Sequence, residues 1–407
     1  MDKKLKNSFN LFELAGAFGD TGILVPLAFA FVVFNGFSPQ KLFLLWGTAY
    51  VLTGFYYKVP VAIQPLKVMA VIAIVSGFSS QQMASTAFFF GIILIFLSVT
   101  GILRLLQSIF TVPIIRGIQV GLGLILIYKA VSLVMEKGLY LGRETDKVFI
   151  NLAAMSLVIA VLWFFQFRKK IPLSIFLICG SILFSLLLGI TIPTLPSQLQ
   201  LPGGQNLLSA SLPDFTFLFS SLVLLILPQL PLTIGNAVFA ASDISHKLWG
   251  HRAKKVNPTR LGFSMGILNL LIGLFGGFPI CHGSGGMAAH HQFGARTGGT
   301  TIIMGTLLIL LAVFTPLANF IFYIPIPLLG ALLFITGLKM VYLVKSVKSA
   351  REMAIVLLVA LVSFLSKNLL IAVLAGFLLE RTFYLSNGIV DNSNLNREDT
   401  PGGTKEK

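Results

Sequence analysis

The chain has 407 residues, of which 56% are hydrophobic and only 11% are charged, with a formal net charge of +16. Its mean hydropathy of +0.90 lies far from the balance of a soluble domain and indicates an all-α, polytopic membrane protein. The Lys and Arg residues form short clusters between apolar runs. This is the positive-inside pattern, so it argues against a nucleic-acid-binding chain.

Apolar windows predict about fourteen transmembrane segments. In chain order they cover 9–34, 40–57, 60–76, 82–104, 111–134, 147–167, 171–190, 214–242, 258–275, 278–294, 299–317, 324–345, 350–366 and 368–386. The basic clusters lie where odd-numbered spans begin, which predicts both termini on the cytoplasmic side of a cell (inner) membrane. The first window has no small-residue cleavage site, so we interpret it as a retained span and not a signal peptide.

Fourteen spans with both ends on one side allow two inverted repeats of seven. We expect the first repeat (spans 1–7) at 1–190, an extracytoplasmic loop at 191–213, the second repeat (spans 8–14) at 214–387 and a disordered cytoplasmic tail at 388–407. Cys179 and Cys281 are both inside predicted spans and far apart in sequence, so no disulfide framework is predicted.

Windows three and ten contain residues that would interrupt a membrane helix. In the third, we expect Gln64 to end a short extended stretch and Pro65 to open a helix at its first position. In the tenth, Ser284 is expected to cap a helix that runs from Gly285 toward Gly294. Inverted repeats would bring both helix N-termini to one cavity, where their partial positive charges favour an anion.

Lys67 would lie in the first turn of the earlier half-helix, where a cation is unfavourable. A bound anion would compensate for it, and Glu13 or Asp20 is an alternative partner. Gln64 and Ser284 are the neutral donors that we expect to face the ligand. Arg296 follows the second half-helix and lies either at the cytoplasmic mouth or at the interface as an ordinary anchor.

Polar residues recur every seven positions in spans one and eight. Glu13 and Asp20 share this spacing, and so do Gln229, Asn236 and Asp243. Two helical turns place such residues on one face, which predicts a lining for the central cavity. The alternative is that Gln229 and Asn236 bridge neighbouring helices and that Asp243 lies at the cytoplasmic end.

Cys281, His282, His290 and His291 raise the question of a metal site. Their spacing fits no zinc pattern, and no HExxH or CxxC is present, so we predict no metal and give the histidines hydrogen-bonding or proton-handling roles. No GxSxG or GxxxxGK motif occurs either. We therefore predict a protein that is not an enzyme and has no cofactor. An intramembrane enzyme using the Cys/His cluster is the rival from another class.

Four stretches together resemble the molybdate transporter family, which is related to the sulfate permeases (SulP). They are ELAGAFGD at 13–20, the QPLK core within 60–70, PQLPLTIGNAV at 228–238 and the motif containing CHGSGG and FGARTGG at 276–299. The resemblance implies a fold like that of uracil permease and the sulfate permeases. Spans 1–4 and 8–11 would form a core, spans 5–7 and 12–14 a gate, and the substrate would lie between spans three and ten. Asn236 stands near the position of a binding glutamate in the nucleobase branch, which this chain does not resemble.

These observations predict a secondary active transporter that imports a tetrahedral oxyanion by alternating access. Molybdate is the first candidate and sulfate the alternative; a nucleobase permease or an anion channel is a weaker one. The predicted substrate-binding residues are Gln64, Pro65, Lys67, Gln229, Asn236, His282, Gly283, Ser284 and Gly285. Importing a dianion into a negative cell costs about 4.6 kcal/mol per 100 mV. We therefore expect a coupling proton or sodium ion, with Glu13, Asp20 and Asp243 as candidate sites. The other expected partner is the lipid bilayer, and a homodimer is an open alternative.

Overall fold

The computed structural model describes residues 6–141, 148–166, 173–189, 207, 209–314 and 319–398. This part of the chain is almost entirely helical, with two strands of two residues each. In the first half, α1 (Leu11–Asn35) contains a 3₁₀ turn at Phe18–Asp20. The other elements of this half are α2 (Pro39–Tyr57), β1 (Gln64–Pro65), α3 (Lys67–Ser76), α4 (Ser80–Thr100), α5 (Ile102–Ile109), α6 (Val112–Glu136), α7 (Val148–Gln166) and α8 (Leu173–Leu187).

The second half begins with a long helix, α9 (Phe215–Lys255), which contains π-helical stretches at Ser221–Ile226 and Thr233–Phe239. Pro228 and Pro231 lie between these stretches, and their missing N–H groups favour local departures from α-helical bonding. The elements that follow are α10 (Pro258–Leu274), β2 (Ile280–Cys281), α11 (Ser284–Gln292), α12 (Gly299–Val313), α13 (Ile326–Tyr342), α14 (Ala350–Ser366) and α15 (Leu369–Glu398).

Each predicted apolar window overlaps one of these helices, and the amphipathic α5 lies between windows four and five. In the described chain, six helices are long and apolar enough to cross a membrane by length and composition: α1, α4, α6, α7, α9 and α13. Four further apolar helices are shorter, namely α3, α8, α10 and α12. The protein is therefore a multi-pass membrane protein, and the count of fourteen spans stays a prediction.

Glycine pairs allow helices from the two halves to cross closely. A Cβ atom on Gly47 of α2 would lie 2.7 Å from the carbonyl oxygen of Gly305 on α12, and one on Gly305 would lie 2.5 Å from the Gly47 oxygen. Gly91 of α4 meets Gly266 of α10 in the same way, at 2.7 Å. Small residues at such crossings let the backbones pack in direct contact. In two repeats of seven spans, α2 corresponds to α10 and α4 to α12. The crossing of α2 with α12 is then equivalent to the crossing of α10 with α4, as a repeat would require.

The buried strands β1 and β2 pair the two halves of the chain with each other. They are antiparallel, with Gln64 opposite Cys281 and Pro65 opposite Ile280. Asn269 of α10 pairs with both backbone groups of Ile280, at 2.8 Å each. The Phe278 ring stacks on Phe31 at 3.8 Å between centroids. The extended backbone is thus buried in protein with its polar groups satisfied, as an apolar environment demands.

Three details of the sequence prediction were wrong. Pro65 does not open a helix, because pairing with β2 and the bond from Leu66 N to the Pro279 oxygen (3.0 Å) hold this stretch extended until α3 begins at Lys67. Ser284 is not a cap, because Gly283 takes that position and Ser284 is the first residue of α11. Residues 388–398, predicted as part of a disordered tail, continue α15, since no proline occurs before Pro401 to break the helix.

Some predicted features lie outside the described residues. They are the N-terminal basic cluster at 3–4, most of the loop at 191–213 and the end of the tail at 399–407. The basic run at 168–170 between α7 and α8 also falls there.

Candidate anion-binding cavity

A cavity of about 820 Å³ lies beside the starts of α3 and α11. Its lining residues come from α1, α3, α9 and α11 and from α6, α7, α8 and α13. The polar and charged lining residues are Asp20, Lys67, Arg116, Gln119, Ser174, Asn236, Ser284, Gln292, Thr336 and Lys339. The volume would hold a small polyatomic anion together with water.

The cavity carries more positive than negative charge. Lys67, Arg116 and Lys339 line it, and Asp20 is the one carboxylate among its described lining residues. Arg116 is held in place by Gln119 at 2.8 Å and by Ser346 at 2.9 Å. Three cations minus one carboxylate give a formal balance of +2. A site of this charge favours a doubly negative ligand.

The start of α11 faces the cavity with exposed backbone. Ser284 and Gly285 both line the cavity, and a Cβ atom on Gly285 would meet nothing within 4 Å. The first amide N–H groups of a helix have no partner inside the helix, and these two residues face open space. Ser284 Oγ donates to Asn236 Oδ1 at 2.7 Å, and Asn236 is presented by a π-helical stretch of α9. These groups form a set of donors suited to an oxyanion.

The start of α3 is closed by a side chain from the other half. Gln229 Oε1 accepts from the amides of Val68 and Met69 at 3.0 and 3.2 Å. Gln229 Nε2 donates in turn to Thr233 Oγ1 at 2.9 Å. Gln229 is 1% exposed and therefore acts as a cap that positions α3. The contribution of α3 to the cavity is the Lys67 side chain.

Gln64 reaches the cavity wall through Asp20. Its Nε2 donates to both carboxylate oxygens, at 2.7 and 2.6 Å. A Cβ atom on Gly286, in the first turn of α11, would lie 3.0 Å from Asp20 Oδ2. Only glycine leaves room there for the carboxylate. Gly283 lies against the same Gln64 side chain, so Gln64 and Gly283 support the cavity from behind, as Pro65 does through β1.

His282 is buried away from the described cavity lining. Its Nε2 bonds to Ser264 Oγ at 2.9 Å, and its Nδ1 lies 3.2 Å from the Ala62 oxygen. Ser264 continues to the Tyr57 hydroxyl at 2.7 Å. This chain of bonds fastens the segment before β1 to α10. Among the described residues, no group of three or more His, Cys, Asp or Glu side chains converges as a metal site would require.

Two of the candidate acids lie elsewhere. Glu13 accepts from the Arg296 amide at 3.2 Å and from the hydroxyls of Ser8 and Thr300, so it anchors the segment after α11 to α1. Asp243 is exposed on α9, and neither acid is among the described lining residues of the cavity. The 3₁₀ turn at Phe18–Asp20 shifts the helical phase between Glu13 and Asp20. The expectation that both face one cavity was therefore wrong.

The predicted site residues do not include Arg116 and Lys339, two cations that line the cavity. Lys339 is the one charged residue within α13, and an ionisable group inside an apolar membrane helix is a functional candidate by default. That signal would have identified Lys339. Arg116 lies near the start of α6, where its position alone suggests an interfacial anchor.

The sequence and the fold both match known transporters. The family model described as "Molybdate transporter of MFS superfamily" matches residues 12–126 and 221–340. Molybdate transporter 2 of Arabidopsis thaliana is 25% identical over 88% of this chain and 84% of its own length. Molybdate transporter 1 of the same plant is 24% identical over 95% and 92%, and Molybdate transporter 1 of Chlamydomonas reinhardtii is 24% identical over 86% of each.

Solved structures of anion transporters share the fold. The transmembrane domain of the cyanobacterial bicarbonate transporter BicA aligns with a TM-score of 0.65 at 18% identity, covering 91% of this chain and 100% of that domain. Murine Slc26a9, an anion transporter in its inward-facing state, aligns with a TM-score of 0.65 at 15% identity, covering 94% of this chain and 69% of that one. The family model covers more than half of the sequence, and the chain therefore belongs to the family of molybdate transporters.

Proposed function

We propose that this protein is a secondary active transporter that imports molybdate. The observation that supports this most directly is the cavity with Lys67, Arg116 and Lys339 against a single described carboxylate, Asp20. Its formal balance of +2 matches a tetrahedral dianion. The exposed start of α11 would replace part of the water shell of the ion. The names of the curated relatives favour molybdate within this class.

The substrate is proposed to lie between the starts of α3 and α11, the two interrupted spans. Lys67 would supply a full charge, while Ser284, Gly285 and Asn236 would supply oriented donors. Gln64, Pro65, Gln229, His282 and Gly283 would hold these groups in place rather than contact the ion. This division follows from the bonds that each of them already makes within the protein.

Transport is proposed to proceed by alternating access of a core against a gate. The cavity lies on this boundary: α1, α3, α9 and α11 belong to the proposed core, and α6, α7, α8 and α13 to the gate. Two inverted repeats of seven spans are supported by the pairs α2–α12 and α4–α10 and by the antiparallel strands. Movement of one unit against the other would carry the ion between the two faces.

The conformation described here is proposed to face the cytoplasm of the cell. The cavity is lined by the starts of α6 and α8 and by the ends of α7, α11 and α13. All five lie at the side predicted to be cytoplasmic from the basic clusters. Both termini would lie on that side. The likeness to an inward-facing anion transporter is consistent with this assignment.

Accumulation of a dianion requires a coupled cation, a proton or a sodium ion, because import works against the membrane potential. Sulfate is the alternative substrate, since it is also a tetrahedral dianion that the same donors would hold. A nucleobase would leave the surplus charge of the cavity uncompensated, and an open channel would not accumulate substrate.

The test is molybdate uptake into vesicles that contain the purified protein, with tungstate, sulfate and uracil as competitors. We expect saturable molybdate uptake that depends on an imposed proton or sodium gradient. Tungstate should reduce this uptake more strongly than sulfate does. Inhibition by uracil, or flux that neither saturates nor follows a cation gradient, would contradict the proposal.

A further inference from the structure

Three buried polar atoms without a hydrogen-bond partner belong to residues near Asp20. They are Tyr50 Oη, Gln64 Oε1 and His290 Nε2, and they make up half of the six such side-chain atoms in the described part of the chain. All three residues are fully buried. An unpaired buried polar group costs about 1–3 kcal/mol, so three in one place call for an explanation such as a bound ion or proton.

The bonding of His290 leaves one ring nitrogen available. Its Nδ1 lies 2.8 Å from the carbonyl oxygen of Gly16, and because a carbonyl only accepts, Nδ1 carries a hydrogen. In the neutral ring Nε2 then has a free lone pair. The Tyr50 ring meets the imidazole edge-on, with 6.3 Å between centroids. His290 therefore presents an unused proton acceptor in a dry environment.

Asp20 and His290 are neighbours along the contact of α1 with α11. Gly16 lies one turn before Asp20 on α1, and Gly286 lies one turn before His290 on α11. Gly16 contacts His290, while the position of a Cβ on Gly286 is 3.0 Å from Asp20 Oδ2. A Cβ atom on Gly19, the residue next to Asp20, would lie 3.0 Å from the His290 amide nitrogen, so Asp20 and His290 belong to the same contact between α1 and α11.

Ionised Asp20 occupies a position like that of a bound anion. Its carboxylate lies against Gly286 in the first turn of α11, accepts two hydrogen bonds from Gln64 Nε2 and lines the cavity with Lys67. A substrate dianion next to it would meet a fixed negative charge and would compete for the same cations. Neutralising Asp20 removes this repulsion and releases Lys67 to the ligand.

We propose that Asp20 and His290 form a proton-binding site whose occupancy is coupled to the anion. This inference rests on the proposed function and names the coupling ion and its place. One proton from the cavity is taken up by the Asp20 carboxylate before or with the substrate, and the unused lone pair of His290 Nε2 is the second acceptor of the site. By linkage, the anion strengthens proton binding as much as the proton strengthens anion binding.

Other titratable groups face the pair from every element around it. They are Lys67 from α3, Lys339 from α13, Tyr50 from α2 and Cys281 from β2. When Asp20 is neutralised, Lys67 and Lys339 no longer interact with its negative charge and can interact with the bound anion instead. His291, the next residue along α11, points elsewhere and meets Trp249 edge-on at 5.7 Å.

The test is molybdate binding to the purified full-length protein by calorimetry between about pH 5.5 and about pH 8, a range centred near the usual histidine pKa. Wild-type affinity should rise by up to about tenfold per unit of acidification, the limit for one linked proton. The variant Asp20→Asn should show no such rise, and in His290→Gln the rise should move to lower pH because one acceptor is lost. The matched control His291→Gln should behave as wild type.

A second measurement counts protons directly. In weakly buffered solution, molybdate should cause uptake of up to one proton per bound ion by the wild type and of none by Asp20→Asn. Variants are compared only when their size-exclusion profile and melting temperature match those of the wild type. If a variant fails to fold, the proton uptake of the wild type alone still tests the proposal.

The outcomes separate this inference from the proposed function. Molybdate binding that is independent of pH, or unchanged pH dependence in both Asp20→Asn and His290→Gln, overturns the proton site while the transporter assignment stands. A sodium requirement at constant pH that Asp20→Asn abolishes also overturns it, in favour of a metal cation. A wild-type protein that binds neither molybdate nor sulfate at any pH contradicts the proposed function itself.

Discussion

The two half-helices α3 and α11 begin in similar backbone surroundings but present different chemistry. Each follows a two-residue strand, and the strands pair with each other. At α3 the amides of Val68 and Met69 are capped by Gln229 from α9, and the helix offers the Lys67 side chain. At α11 the exposed backbone of Gly285 faces the cavity. The half-helix α3 therefore provides a charged side chain, and the half-helix α11 provides oriented backbone donors.

This asymmetry explains how a lysine is tolerated in the first turn of α3. A cation there opposes the helix dipole, but Asp20 lines the same cavity and Gln229 has already satisfied the helix end. The combination leaves a cation available to a ligand. At α11 a side chain would only obstruct the open amides, and the sequence places Gly283, Gly285 and Gly286 around Ser284.

The largest expected effect is at the charged side. Replacing Lys67 with Met removes a cavity cation and should weaken molybdate binding about 100-fold, near 3 kcal/mol, as for loss of one partner of a buried charge pair. Calorimetry on the purified variant measures this. Lys348→Met, at an exposed position, is the matched control and should bind as wild type. Equal affinity of the two variants would remove Lys67 from the site.

The cap at α3 should govern stability more than affinity. Gln229→Ala leaves two buried amides without an acceptor, and we expect the free energy of unfolding to fall by about 2 kcal/mol. Denaturant unfolding in detergent, followed by a spectroscopic probe of helix content, measures the change. The exposed Gln81 provides the control substitution to Ala. An unchanged unfolding midpoint for Gln229→Ala would show that these bonds do not hold α3.

The open amides of α11 can be obstructed without crowding the fold. A Cβ atom at Gly285 meets nothing within 4 Å, and the same is true of Gly180 on α8. Both Gly→Ala changes should raise helix propensity by about 1 kcal/mol. Only Gly285→Ala should weaken binding, by about tenfold, because its methyl group occupies the ligand side of the helix start. Wild-type affinity in Gly285→Ala would place the ion elsewhere.

The smallest effect is expected at Ser284. Loss of its hydroxyl in Ser284→Ala removes the hydrogen bond that positions Asn236, which should weaken molybdate binding about fivefold, near 1 kcal/mol. Ser220 on α9, whose hydroxyl bonds to its own helix at Phe217, is the control for the same substitution. A loss as large as that of Lys67→Met would mean that the neutral donors dominate, contrary to the division described above.

Local sequence signals predicted extended backbone near Gln64-Pro65 and Phe278-Pro279, because proline restricts the residue before it, and the strands β1 and β2 lie at or next to these positions. Contacts that depend on tertiary structure were harder. Gln229 caps α3 from 160 residues away, and Lys339 of α13 lines the same cavity as Lys67 of α3. The periodicity of apolar and polar residues carries no information about contacts between distant segments.

Helical phase was a second source of error. Spacing by seven predicts one face only in a regular α-helix, whereas α1 contains a 3₁₀ turn and α9 contains π-helical stretches. These change the rotation per residue. Glu13 and Asp243 consequently leave the face of the cavity, while Asp20 and Asn236 remain on it. Short departures from α-helical geometry cannot be read from residue types alone.

The most direct test is to locate the ion. In crystals grown with molybdate, X-ray data near the molybdenum absorption edge should show one strong anomalous peak between the Lys67 ammonium group and the amides of Ser284 and Gly285, and Lys67→Met should weaken it. A peak outside this cavity, or no peak under conditions in which the protein binds molybdate in solution, would contradict the assignment of the two half-helix starts as the binding site.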